Sequence, residues 1–136
     1  MQRHAARAHS PDELATRLED AFIVRDAAGL AELFDEHAVL SPGGSEIDVR
    51  GSEEIAMFAA AHWEADRRYL AQVRRIVQTG DTAAVVVDWS LTRSGSLDGT
   101  GERGRGVDVL RRGRDGAWRY VISLFHVCER LKGEQR

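Results

Sequence analysis

The chain has one cysteine, Cys128, and two prolines among its 136 residues. A single thiol excludes an internal disulfide and any cluster of thiolate metal ligands, so the expected setting is a reducing compartment, the cytoplasm. No apolar run approaches the length of a membrane span. Residues 1–9, MQRHAARAH, carry basic residues but no apolar stretch of the kind a secretory leader needs. No Gly-Lys-Ser/Thr loop occurs, which argues against a nucleotide cradle. Neither sign of charge dominates: 19 Lys and Arg face 22 Asp and Glu, for a net charge of −3. Nothing in that balance favours nucleic acid or an anionic membrane as a partner. His4, His9 and His37 are scattered without acids at ligand spacing, so no metal site and no cofactor are expected.

What is present is the material of one soluble domain. Hydrophobic residues make up 43% and charged residues 30%. A chain of this length buries roughly two-thirds of its unfolded surface, enough for a core and an internal pocket. Ser10-Pro11-Asp12-Glu13 reads as a helix start, with Leu14, Leu18 and Phe22 as the buried stripe that follows. A second short helix follows Arg25-Asp26, with Leu30, Leu33 and Phe34 as its apolar face. "HAVLSP", 37–42, reads as a short strand stopped by Pro42-Gly43-Gly44, and a third helix runs from Gly51-Ser52 to about Asp66.

From Tyr69 the period changes from helical to alternating. "YLAQVRRIVQ" and "AAVVVDWSLTR" form a hairpin around Gly80-Asp81, with Val85, Val87, Trp89 and Leu91 on one face and Asp88, Ser90 and Thr92 on the other. Residues 94–104 read as a Gly-rich loop, 105–112 as the next strand, and Asp115-Gly116 as the turn into the closing segment "WRYVISLFHV". There is no repeat, linker or second domain. Residues 10–131 are expected to form the folded unit, with 1–9 a disordered tail and 132–136 a second tail. Helices followed by a meander of strands specify an α+β layer.

Three segments carry a family resemblance: the stretch ending "AFIVRDAAGLAELFDEHAVL", then "VRGSEEIAMF", then "VDVLRRGRDGAWRYV". In that order they resemble the NTF2-like superfamily, in particular its SnoaL-like and DUF4440-type members and the SgcJ/EcaC-like subgroup linked to enediyne biosynthesis. The resemblance implies a cone in which three N-terminal helices pack on a curved, mostly antiparallel sheet around a pocket. A homodimer through the sheet is also implied.

The fold hosts many activities, so function is carried over residue by residue. Ketosteroid isomerases of this superfamily use a carboxylate base on the first short strand, where this chain has Ser41, a poor proton acceptor. Their oxyanion-hole tyrosine falls near Leu18, which has no donor, and their protonated acid falls on Asp108, which matches. The Arg-x-Asp pair of the related epoxide hydrolases occurs nowhere in the sequence. SnoaL-type cyclases rely on one acidic proton carrier, a role open to Asp108.

Asp108 is thus the candidate catalytic residue. An acid on the face of Gly106 and Leu110 must be paired, solvated, or raised in pKa by desolvation. The competing structural account pairs it with Arg74 or Arg75. Phe22, Phe34, Ser41, Trp63, Trp89, Ser123 and His126 are the candidate ligand-binding residues, and all but Ser41 and the two tips Ser123 and His126 are equally plain core. Ser123 and His126 lie on opposite parities of the closing strand. Two readings follow. One is a pocket protein for a small apolar metabolite, polyketide-derived in its sharpest form, with Asp108 transferring a proton. The other is a non-catalytic dimeric ligand-binding or assembly module, and cargo recognition of the nuclear-transport kind has only the fold behind it.

Overall fold

The computed structural model describes residues 7–43, 47–64, 67–93 and 101–127, with backbone alone at 62–64, 67 and 93. Helix α1 spans Pro11–Val24. Ser10 caps it, its Oγ accepting the Glu13 N–H at 3.1 Å, and Glu13 accepts the N–H of His9 at 2.8 Å. The helix ends where Arg25 turns left-handed, at φ 56°. Asp26 then caps α2, Ala27–Glu32, by accepting the Gly29 N–H at 2.9 Å. The third of the described helices, α3, spans Ser52–Glu64, and Gly51 before it has φ +95°, a conformation in which a side chain is strained.

The described residues also hold six strands: β1 Phe34–Ser41, β2 Val49–Arg50, β3 Arg67–Thr79, β4 Thr82–Arg93, β5 Gly101–Arg112 and β6 Trp118–Leu124. They form one sheet in the order β2-β1-β6-β5-β4-β3. All neighbours are antiparallel except β1 and β6, which run parallel. The fold is the expected α+β arrangement of helices packed on a curved, open, mostly antiparallel sheet.

Three differences from the sequence reading have local causes. Phe34 belongs to β1 rather than to α2, because the backbone turns extended at once after Leu33 and Phe34 comes to lie beside Tyr120. Strand β5 begins at Gly101, where residues 101–104 had read as loop; these glycine-rich positions are held by the ladder to β4 out to Thr92. Residues 94–100 lie outside the described residues. Ala8, read as part of a tail, is fully buried and bridges to Trp118, whose N–H reaches the Ala8 carbonyl at 2.9 Å. The packed unit therefore starts before Ser10.

Irregularities bend the sheet and set which side chains point inward. In β3 the register shifts between Val73 and Arg75, so Arg74 is the extra residue. In β6 Val121 is extra, because Val109 faces Ile122 while Leu110 faces Tyr120. Beyond Leu124 the chain bulges again: Val107 pairs with Leu124, yet the Val127 N–H bonds the Arg105 carbonyl. Phe125 and His126 thus arch over Gly106, where an added Cβ would lie 2.8 Å from the Leu124 carbonyl oxygen.

The core lies between the sheet and the helices. Its largest fully buried side chains include Trp118, Leu14, Leu30, Leu33, Ile55 and Leu110. A smaller cluster of Tyr69, Trp89 and Leu91 adjoins it, with Leu18, Phe22 and Phe125 packed against both. Between the two clusters the packing is incomplete, which leaves the cavity described next.

Candidate functional site

The cavity has a volume of about 80 Å³. Its wall is apolar: Leu18 and Phe22 come from α1, Ile55 and Phe58 from α3, and Val87, Trp89 and Leu91 from β4. Tyr69, Asp108 and Ser123 interrupt that wall with polar atoms. The period-two pattern of β4 put its three residues there, since alternate side chains share a face.

Asp108 stands on β5 between Gly106 and Leu110, and all three positions are buried. It is 8% exposed. The Ser123 hydroxyl donates to its Oδ1 at 2.7 Å, across the register that sets Asp108 opposite Ser123. Its Oδ2 accepts no hydrogen bond among the described residues. Burial pushes the carboxyl pKa from 3.8 up to about 7, against the opposing pull of the Ser123 hydrogen bond. A carboxyl group poised there exchanges a proton near neutral pH.

The arginine pairing weighed for Asp108 does not form. Arg74, the bulged residue of β3, lies on the outer face and pairs with Asp88 at 3.3 Å. Asp88 is also held by Arg105, whose Nε donates to it at 2.8 Å. Arg75 is exposed opposite Val86, again on the outer face. The sheet itself separates both arginines from Asp108.

Two tyrosines complete the electrostatic picture. Tyr69 and Tyr120 are 8% and 3% exposed, and the pKa of each phenol is raised first by burial and then by the charge of Asp108. Tyr69 also feels Glu19, which is anchored where its carboxylate accepts the Ala71 N–H at 3.0 Å. Both phenols stay protonated at neutral pH. Tyr69 lies against Phe22 with ring centroids 4.9 Å apart, and Tyr120 against Phe34 at the same separation.

One end of the cavity is closed by a platform. Trp89 and Phe125 stack at 4.1 Å with an interplanar angle of 14°, and the indole N–H donates to the Phe125 carbonyl at 2.6 Å. His126 meets the edge of Trp89 at 5.4 Å. Gly104 makes that approach feasible, because an added Cβ would stand 2.6 Å from Trp89 Cζ2.

Of the residues singled out in the sequence, Asp108, Phe22, Phe34, Trp89 and Ser123 line the cavity. Leu18, at the isomerase tyrosine position, lines it too. Ser41 does not: it alternates with Leu40, which lines the cavity, and its partner Leu124 borders the cavity while 38% exposed. His126 packs behind Trp89 rather than in the wall. The side chain of Trp63 lies outside the described residues. Neither parity of the closing strand holds throughout, because the Val121 bulge lets Trp118 and Tyr120 face inward before it and Ser123 after it.

Tyr69 and Tyr120 were not singled out as site residues. Counting back from the Gly80-Asp81 turn without a bulge sets Tyr69 opposite Thr92, on the outer face. The Arg74 bulge moves it opposite Leu91 and inward. Among the described residues no group of His, Cys, Asp and Glu could hold a metal ion, and no helix is long and apolar enough to cross a membrane.

The helices and the sheet thus enclose an apolar cavity in whose wall, among the described residues, Asp108 is the one acid. The model of the SnoaL-like domain matches residues 15–121, and the chain belongs to that family. Its structure is similar to an NTF2-like protein with a cystatin-like fold from Novosphingobium aromaticivorans, at TM-score 0.74 and 21% identity over 87% of this chain and 79% of that one. It is also similar to a protein with a cystatin-like fold from Nostoc punctiforme, described as a domain of unknown function, at TM-score 0.70 and 16% identity over 88% and 77% of the two chains. A third likeness is a putative calcium/calmodulin-dependent protein kinase type II association domain from Thiobacillus denitrificans, at TM-score 0.67 and 19% identity over 85% and 92%. No curated protein matches the sequence.

Proposed function

We propose that this chain holds a small, largely apolar metabolite in the cone and that Asp108 exchanges a proton with it. The observation that carries this reading is the placement of Asp108: buried in an apolar wall, bonded through one oxygen to Ser123, and with no basic side chain paired to it among the described residues. Desolvation supplies a proton affinity near neutrality, and the aromatic wall excludes the water that would compete for the proton. In its catalytic form the reaction is a cofactor-independent proton transfer at a carbon next to a carbonyl, and a polyketide-derived molecule of secondary metabolism in the cytoplasm is the substrate class it fits. Enediyne biosynthesis, the setting of the subgroup resemblance, is one such context.

The test is a screen of polycyclic ketones for deuterium exchange at the carbon next to the carbonyl, with wild type and Asp108→Asn side by side. The reading expects exchange by wild type and a loss of at least a hundredfold in the variant. Equal rates in the two proteins would remove Asp108 from the chemistry.

A second reading, a dimeric binding or assembly module, is favoured by the outer face of the sheet. Val77, Ile122 and Leu124 are 53%, 39% and 38% exposed there, beside the partly exposed Val86, Val107 and Val109. Asp88 and Arg75 lie within the same face, Asp88 paired there with Arg74 and Arg105. Light scattering at micromolar concentration is expected to give a dimer, and Ile122→Asp a monomer. A monomeric wild type would count against this interface.

A further inference from the structure

Among the described residues the cavity wall holds one acid and no base. Asp108 is the acid that faces it, and the Glu19 carboxylate lies within electrostatic reach of the Tyr69 phenol. No Arg, Lys or His lines it among the described residues. Two of its donors are committed: the Ser123 O–H goes to Asp108 and the Trp89 indole N–H to the Phe125 carbonyl. The Tyr69 phenol can donate or accept, and Asp108 Oδ2 and the Ser123 lone pairs are acceptors.

Aromatic rings make up much of the same wall. Phe22, Phe34, Phe58, Tyr69, Trp89 and Phe125 all line the cavity. The face of an aromatic ring carries negative electrostatic potential and attracts an organic cation, most strongly where water is excluded. A buried carboxylate with no cationic partner gains most from a ligand that brings one.

We propose that the cavity selects a hydrophobic amine, its ammonium group set against Asp108 Oδ2 and its apolar body among the rings. This rests on the reading of the cavity as the ligand site and adds the charge of what enters it. The groups facing Asp108 are Ser123 and Tyr120 from β6 and Tyr69 from β3. The lining residues from α1, α2, α3 and β4 carry no charge. Binding of a cation therefore ionises Asp108 and releases its proton, and affinity rises with pH up to the point where the free site is already ionised.

Three probes of matched shape test this: 2-naphthylmethylamine, 2-naphthylmethanol and 2-naphthoate, titrated calorimetrically at pH 7 in phosphate and in Tris. The amine is expected to bind at least tenfold tighter than the alcohol, the naphthoate most weakly, and the difference in heat between buffers to report proton release on binding the amine. Asp108→Asn should abolish the preference for the amine while keeping the alcohol. The proton count is read on wild type, so it stands even if that variant fails to fold. Equal affinity for amine and alcohol, tighter binding of the naphthoate, or proton uptake with the amine overturns this inference and leaves the ligand-site reading intact. Failure of all three probes to bind overturns both.

Discussion

Asp108→Asn, followed across pH, turns the buried carboxyl into a measurable slope. Its folded-state pKa of about 7 lies above the ordinary value of 3.8. Between those two values the folded chain keeps a proton that the unfolded chain has lost. Stability from this group is therefore fully present below about pH 4, falls as pH rises, and is gone above about pH 7. Each pH unit within the window changes it by about 1.4 kcal/mol, so the whole span amounts to about 4 kcal/mol. Hydration through the cavity mouth makes that figure an upper bound. Asparagine fills the same space, can still accept from Ser123, and has no proton to lose.

The quantity to measure is the difference in unfolding free energy between wild type and variant, from urea titrations at half-unit steps from pH 4.5 to 8. Taking a difference matters, because Glu13, Asp88 and Asp115 have lowered pKa values and lose stabilisation as pH falls below the ordinary carboxylate range. Those groups are shared by the two proteins and lie on other parts of the surface, so their contributions cancel. Wild type should lose ground steadily against Asp108→Asn as pH rises, by several kcal/mol in all. A difference that stays flat within about 0.5 kcal/mol would mean that Asp108 is ionised and solvated in the folded chain, and the proton-exchange reading would lose its basis.

Other perturbations have equally specific outcomes. Ser123→Ala removes the hydrogen bond that lowers the Asp108 pKa, so the same pH curve should shift upward in midpoint; an unmoved midpoint would show that the 2.7 Å contact does not form in solution. Gly106→Ala puts a methyl group 2.8 Å from one backbone oxygen and 2.9 Å from another, and should cost about 1–3 kcal/mol in a urea titration. Trp89→Phe deletes the indole donor and leaves the Phe125 carbonyl without it, which should cost about 1–3 kcal/mol and loosen the platform, read as faster amide exchange at Val127. Asp115→Asn weakens the turn where Asp115 accepts from Ala117 and Arg119; the loss should be near 1 kcal/mol, shrink in high salt, and vanish at pH values where Asp115 is protonated.

Much of this architecture can be read from the residues, and the failures share one cause. Helix α1 declares itself through Ser10, Pro11 and Glu13, and the inner face of β4 through strict alternation. Asp108 is legible for the same reason: its neighbours Gly106 and Leu110 share its parity and the strand is regular between them. Where a bulge intervenes, parity counting fails. Tyr69 was lost behind the Arg74 bulge, and Ser123 was separated from Tyr120 by Val121. Bulges depend on the fit of the whole sheet over the helices, which no local pattern encodes. The strand at 101–104 was hidden by its glycines, whose low strand propensity is overridden by the β4 ladder. Ser41 was misplaced by analogy of position alone, since one residue of offset reverses the face.

The parallel pairing of β1 with β6 has a consequence for how the protein is made. A ribosome delivers β1 before the other described strands, but its parallel neighbour β6 is the last of them to emerge. Until then α1 and α2 have no finished surface to settle on, and the Ala8 carbonyl has no Trp118 N–H to meet. The hairpins among β3, β4 and β5 can form during synthesis, whereas the floor of the cavity waits for residues 118–125. Chains stopped short of Ser123 would carry Asp108 with an unfinished wall beside it, so nascent chains of increasing length should show protease resistance appearing in a single late step.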